Sequence, residues 1–401
     1  MRIYRLPPCP AYDIESTESW LESMALKGLF LKKNGFFAGI AAFEKSTPRA
    51  VRYRLDAAPE HTGICSDNGG APDEEAVAIS KSYGWNYIAR RGQFYIYASE
   101  HDNAREFHTD PKIQAITLDM VRKRERNSLF STLFWLTVYP LLLTQGGFYP
   151  VMTAISLGTP LYLLGILLIF GAVAGSLKEV AHLHNLRKRL SDGKLPDHHK
   201  NWKKHAGFHR TLPLLFISLL LIWTGAFFRL WYAEKTDKYK ISLEYYDGAV
   251  PFPTIKDLVP DGTYSLTDFG FGNTIELKTD PLAPSIVTYT ETGSVRFADN
   301  QILQGGLIIN YYDTVSPWLA QELAHEYQRY DKHRNKKYYE VLKLPDLGSD
   351  YAAAYNAVFP TLILTDGSRM MHITFYQTSG NYTMPLEEWA EIYVKAIKQT
   401  N

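Results

Sequence analysis

Residues Asn127–Leu177 form a run of 51 positions without one Asp, Glu, Lys or Arg. A soluble core helix is neither that long nor that apolar, so the run predicts two membrane spans, placed at Leu129–Phe148 and at about Val151–Gly175. A third apolar stretch, Thr211–Tyr232, predicts a third. Gly146–Gly147 reads as the tight turn between the first two, and Pro140 and Pro160 are expected to kink the spans that hold them. The rest of the chain is read outward from this block.

Three segments follow: 1–121, 122–233 and 234–401. Their charges differ sharply. The first carries 14 Lys+Arg against 16 Asp+Glu, a net of −2; the second 14 against 4, a net of +10; the third 15 against 22, a net of −7. The overall +1 hides this asymmetry. Basic charge gathered beside apolar spans points to anionic lipid headgroups rather than to nucleic acid. The short turn after the first span has no basic residue, whereas loop 176–210 has nine, and Arg122, Lys123, Arg124 and Arg126 flank the first span. By the positive-inside rule the N-terminus and the basic loop are cytoplasmic and residues 234–401 are extracytoplasmic, in a multi-pass cell-membrane protein. The start, Met1–Pro10, lacks a signal-peptide pattern. Within the loop, Arg187, Lys188, Arg189, Lys200, Lys203 and Lys204 are the candidate membrane-surface residues. Leu183, Leu186 and Leu190 share one helical face expected to lie on the inner leaflet.

The N-terminal segment shows an α-β-β pattern twice, about 56 residues apart. Ser16 and Thr17 cap a helix with Trp20, Leu21, Met24 and Ala25 on its apolar face, and Gly28 ends it. Strand Leu29–Lys33, turn Asn34–Gly35 and strand Phe36–Phe43 follow, then strand Val51–Leu55. The second copy is helix Pro72–Tyr83, terminator Gly84, strand Trp85–Ala89 and strand Phe94–Ala98. One antiparallel sheet with helices on one face, a ferredoxin-like α+β domain, is the expectation. The strand aromatics fit core packing better than a ligand platform, and Arg52 with Arg54 fits a solvated strand face better than an anion site.

The stretches "WLESMALKGLFL", "VRYRLD", "GWNYIARRGQFYIYAS" and "EFHTD" carry Trp20, Leu21, Gly28, Gly84, Trp85, Thr109 and Asp110. Together with the spans that follow, they resemble a family of uncharacterised membrane proteins of Gram-positive bacteria, domain of unknown function family 2812, over about Arg2–Asp110. The resemblance implies a regulatory link to PadR-type repressors as cytoplasmic partners. It brings no catalytic residues with it.

The C-terminal segment reads as an antiparallel sheet backed by helices. Ser316 and Pro317 open a helix, Thr361–Thr365 and Met370–Tyr376 form a hairpin about Asp366–Gly367, and Pro385–Lys398 closes the chain. "HEYQRYDKH" holds His325, Glu326 and His333, but Arg329 stands where a zinc-protease motif needs its second histidine. No nucleophile elbow, phosphate loop or catalytic cysteine occurs, and no cofactor is expected. The six loop histidines, including the His205/His209 pair, fit a basic interfacial loop better than a metal site. "DLGSDYAAAYN" is read as a helix or loop surface. The function expected is an accessory or regulatory membrane protein coupling an outer sensing domain to a cytoplasmic interaction domain. An envelope enzyme with an unrecognised outer site, or a structural envelope protein, are the alternatives.

Overall fold

The structure is a computed structural model that describes residues 2–37, 39–58, 71–101, 104–106, 110–143, 147–299, 301–380 and 385–399. Its elements fall into two compact units, Met1–Leu136 with Leu168–Leu221, and Thr137–Leu167 with Ile222–Asn401. Mixed helices and antiparallel sheets run through both.

The first unit opens with β1 (Arg2–Arg5), α1 (Ile14–Ala25), β2 (Leu29–Phe37) and β3 (Ile40–Lys45), then β4 (Arg52–Ala57), α2 (Glu74–Ser82), β5 (Asn86–Arg91) and β6 (Phe94–Ser99). The repeat read from the sequence is present, with an extra leading strand in each copy. The hydrogen-bonded strands form two three-stranded sheets, β1-β3-β2 and β4-β6-β5, with the same order in each. A single continuous sheet is not what the hydrogen bonds describe. Gly28 and Gly84 end the two helices at positive φ, 74° and 87°, where glycine carries no Cβ penalty. A Cβ on Gly28 would lie 2.4 Å from the Ser46 carbonyl oxygen. Asn34–Gly35 is not the hairpin turn. Asn34 adopts φ 52° inside β2, where the register slips between Leu31 and Phe36, so the pair is a bulge and the chain reverses at Gly39.

The core of this unit joins Trp20, Leu21, Phe36, Phe43, Tyr53 and Phe94 to two later groups of residues. Ala115, Leu118 and Val121 come from α3 (Pro111–Leu143). Leu183, Leu186 and Leu190 come from α5 (Thr159–Ser191). The leucine face expected on the inner leaflet is therefore buried against protein, because the α1–β4 core is open on that side and needs cover. By contrast Ile79 and Tyr83 of α2 are exposed.

Between α3 and α5 stands α4 (Pro150–Leu157). The second expected span thus divides at Gly158, whose φ is 88°. Pro160 then falls in the first turn of α5, where a missing N–H costs nothing, and does not kink it. α5 and α6 (Ala206–Lys235) are each long and apolar enough to cross a membrane. Within the described residues these are the two such helices. The other expected span, Leu129–Phe148, falls partly on α3 and partly outside the described residues, as does the Gly146–Gly147 turn.

The second unit is built on a nine-stranded antiparallel sheet. In chain order come β7 (Lys240–Ser242), α7 (Ile255–Leu258), β8 (Thr263–Leu266), β9 (Thr274–Asp280), β10 (Ala283–Arg296), β11 (Ile302–Asp313), α8 (Pro317–Arg334), β12 (Glu340–Leu342), β13 (Tyr351–Asn356), β14 (Pro360–Asp366), β15 (Arg369–Gly380) and α9 (Leu386–Gln399). Strand order is β12-β13-β14-β15-β11-β10-β9-β7, with β8 also on β10. Alternate side chains divide between two cores, as the period of a strand requires. Leu307, Ile309, Met371 and Ile373 meet Trp389, Tyr393 and Ile397 of α9. Tyr312, Ile363 and Met370 meet Leu319, Ala320 and Leu323 of α8, together with Val151 and Ile155 of α4. The Ser316 cap, the Asp366–Gly367 hairpin and the closing helix stand where the sequence put them. The "YAAAYN" part of "DLGSDYAAAYN" is instead the strand β13, paired between β12 and β14.

Candidate functional site

In α1 the first turn is acidic and almost wholly buried: Glu15, Ser16, Thr17 and Glu18 are all inside. Carboxylates are buried only with partners. Here the partners come from the last turn of α5 and the basic segment after it. Arg189 bonds Glu15 at 2.7 Å, and the Asp197 backbone N–H donates to the same carboxylate at 2.9 Å. Lys200 reaches Asp13 at 3.0 Å and Glu15 at 3.4 Å. His198 Nδ1 lies 2.5 Å from Glu18 Oε2, while Glu18 Oε1 accepts the Leu55 backbone N–H at 2.8 Å.

Beside Glu18 lies a second group of charges. Arg54 on β4 forks onto Glu106 at 2.9 and 3.0 Å and reaches Glu22 at 3.1 Å. Arg52 pairs with Glu106 as well. The two arginines are thus held in ion pairs, not spread on a solvated face. Glu18, His198, Arg54 and Glu106, with Leu55, Gln114, Leu195 and Pro196, line a cavity of about 230 Å³.

Electrostatics differ across the cluster. Burial works to raise the Asp13 and Glu15 carboxyls, but Lys200 and Ser16 for the first, and Arg189 for the second, outweigh it and hold both below the usual range. Burial likewise opposes Glu106, which Arg54 and Arg52 keep low. At Glu18 burial wins and the carboxyl is raised despite His198 and Arg54. Of the two carboxyls that line the cavity, Glu18 is thus pushed up and Glu106 held down. The arrangement offers a mixed-charge binding cavity and an ionic clasp. It contains no nucleophile.

Of the six candidate basic residues, three are committed to the N-terminal domain: Arg189 and Lys200 as above, and Arg187 on Asp119 at 2.9 Å. Lys188, Lys203 and Lys204 are exposed. The sequence signal for this clasp was the acidic first turn of α1, Asp13, Glu15 and Glu18, opposite a segment of net positive charge.

Two more buried carboxylates act in the second unit, and both grip helix starts. Glu326 of "HEYQRYDKH" is fully buried; it accepts the backbone N–H groups of Val151 and Met152 at 3.1 and 2.7 Å, at the beginning of α4. Burial raises its carboxyl. Asp280 accepts the Thr159 N–H at 2.7 Å and the Thr159 hydroxyl at 2.5 Å, at the beginning of α5. The glutamate of that motif is thus a helix cap. His325 packs its ring on Tyr351. Nearby, Asp331 accepts from Tyr355 at 2.7 Å and lies 2.8 Å from His372 Nε2; His372 is 7% exposed. Among the described residues no cluster of three His, Cys, Asp or Glu is arranged to hold a metal.

Residues 13–130 match the model of a family described as protein of unknown function (DUF2812). The matched domain begins at Asp13, the cap of α1, and ends on α3. It contains the acidic half of the clasp; the basic half, Arg187–Lys200, lies beyond it. The residues quoted for the resemblance are structural where described: Trp20, Leu21 and Trp85 are buried, and Gly28 and Gly84 terminate helices. Thr109 lies outside the described residues. No curated protein and no solved structure matches the chain.

Proposed function

We propose that this is a membrane-anchored accessory or regulatory protein that couples an outer binding or sensing domain to a cytoplasmic interaction domain. One observation carries the reading. α5 is a single helix of 33 residues. Asp280 of the C-terminal sheet holds its first residue. Asp119 and Glu15 of the matched domain hold Arg187 and Arg189 near its last turn. A push at one end of a continuous helix reaches the other, which is what coupling requires.

In this reading α3, α5 and α6 are three spans. The matched domain and the basic segment are cytoplasmic, with the two βαββ halves as a ferredoxin-like arrangement. Residues 234–401 are extracytoplasmic. Lys188, Lys203 and Lys204 face anionic headgroups, and a PadR-type repressor is the cytoplasmic partner that the family resemblance suggests.

The decisive experiment is purification from native membranes under mild crosslinking, with mass spectrometry of what comes along. A stoichiometric partner is expected; a clean chain without one overturns the reading. Threading is checked with single cysteines at Ser191 and Val358. Labelling of Ser191 but not Val358 by an impermeant reagent added outside reverses the orientation.

A further inference from the structure

We propose that Val315 and Trp318 seat the second unit in the headgroup layer of the bilayer beside the start of α5. The proposal rests on the reading of α5 as a membrane span and adds a lipid-binding surface to it. A short chain of hydrogen bonds connects the surface to that span. Asp280 caps Thr159, the same carboxylate accepts the Leu282 backbone N–H at 2.9 Å, and the Leu282 carbonyl accepts the Val315 N–H at 3.1 Å. Val315 therefore stands three hydrogen bonds from the first residue of a helix long and apolar enough to cross a membrane.

α4 sets the direction. Its first residues are held by Glu326, in the third turn of α8, while its Val151 and Ile155 share a core with Leu319, Ala320 and Leu323. The C-terminal end of α4, where the chain enters α5, thus runs toward the beginning of α8, where Trp318 stands. Trp318 is 67% exposed and Val315 57%. Large apolar side chains left open next to a span entrance fit the headgroup layer, where aromatic rings bury their bodies and keep polar tips wet.

The sheet supplies its own control. Asp313 pairs with Arg369 and Asp366 with Arg369 at the Val315 end, whereas Asn356 pairs with Pro360 at the other. Val358 in that far turn is also exposed and apolar, and β14 separates it from the Val315 end by about 20 Å.

The test uses the full chain with Cys9 and Cys65 replaced by serine, reconstituted in phosphatidylcholine–phosphatidylglycerol vesicles. Single cysteines at Val315→Cys, Val358→Cys and Leu167→Cys carry an environment-sensitive fluorophore, and lipids spin-labelled at shallow or deep positions quench it. The Val315 variant keeps Trp318 in place. Expected is at least twofold stronger quenching at 315 than at 358 by the shallow label, and strongest quenching at 167 by the deep one. If 167 is quenched and 315 resembles 358, the anchor is wrong while the span stands. If 167 is not quenched, the span fails and the anchor fails with it. Protection of 315 without quenching overturns the proposal in favour of a protein partner on the same face.

Discussion

The carboxylate of Asp280 receives both the backbone N–H and the hydroxyl of Thr159, and with them the first turn of α5. Its Oδ1 also accepts the Leu282 N–H. A helix start leaves backbone donors unpaired, and a buried one must find acceptors within the protein. Asp280→Ala strands three donors in a closed site. The expected loss is about 2 kcal/mol of stability in the second unit. Asp280→Asn keeps one acceptor and costs about half as much. Urea unfolding of the full chain in micelles, followed by protease sensitivity of the 147–160 segment, measures both. Equal behaviour of the two variants and the parent would remove the cap from the account.

In the first unit the matching test concerns Glu18 and His198, 2.5 Å apart. His198→Ala leaves a buried carboxylate without its partner, a loss of about 3 kcal/mol. Glu18→Gln is milder, since a neutral amide can still accept the Leu55 N–H. The double variant should recover part of the His198→Ala loss, giving an interaction energy of about 1 kcal/mol or more in a double-mutant cycle. Strictly additive losses would mean that the clasp does not act as a pair.

Much of this was legible in the sequence, and the reasons are specific. Gly28, Gly84 and the Ser316–Pro317 start are local signals, and local signals were sufficient. The apolar runs located α5 and α6, but Gly158 divided the second expected span at a point that hydropathy averages over. The leucines at 183, 186 and 190 have the right spacing for a leaflet face, yet spacing does not say what the face covers. That depended on an opening in the core of the N-terminal domain. Asn34–Gly35 has hairpin chemistry, and the strand used the same φ > 0 tolerance for a bulge. The candidate site was hardest to read, because its two halves, Glu15–Glu18 and Arg189–Lys200, are about 170–180 positions apart.

Glu179 gives a pH prediction. It lies on α5 after the apolar run, half-buried, and burial with the nearby Glu125 pushes its carboxyl up to about 7. A carboxyl raised in the folded state favours folding while protonated. Its contribution is fully present below about pH 4.5 and is lost as pH rises toward 7. Solvent screening of a half-buried group limits the effect to about 1 kcal/mol. Glu179→Gln should therefore stabilise the first unit at pH 8, leave it unchanged at pH 4, and flatten the thermal midpoint between those values. An identical pH slope in variant and parent would show that Glu179 titrates with an ordinary value.

Two glycines separate steric crowding from backbone strain. At Gly306 on β11 a Cβ would lie 2.2 Å from the Glu291 carbonyl oxygen and 2.5 Å from the Tyr376 hydroxyl. The first contact is backbone in the middle of the sheet and cannot swing aside. Gly306→Ala should cost about 3 kcal/mol, the upper end for overpacking a closed core. At Gly367 nothing lies within 4 Å of the Cβ position, but φ is 57°. Gly367→Ala pays only for the left-handed conformation, about 1 kcal/mol. Gly367→Asn should recover part of that, since asparagine tolerates such angles. Unfolding midpoints of the three variants in one micellar buffer rank the two costs. Gly367→Ala falling below Gly306→Ala would mean that the hairpin, not the Glu291 carbonyl contact, limits the stability of the sheet.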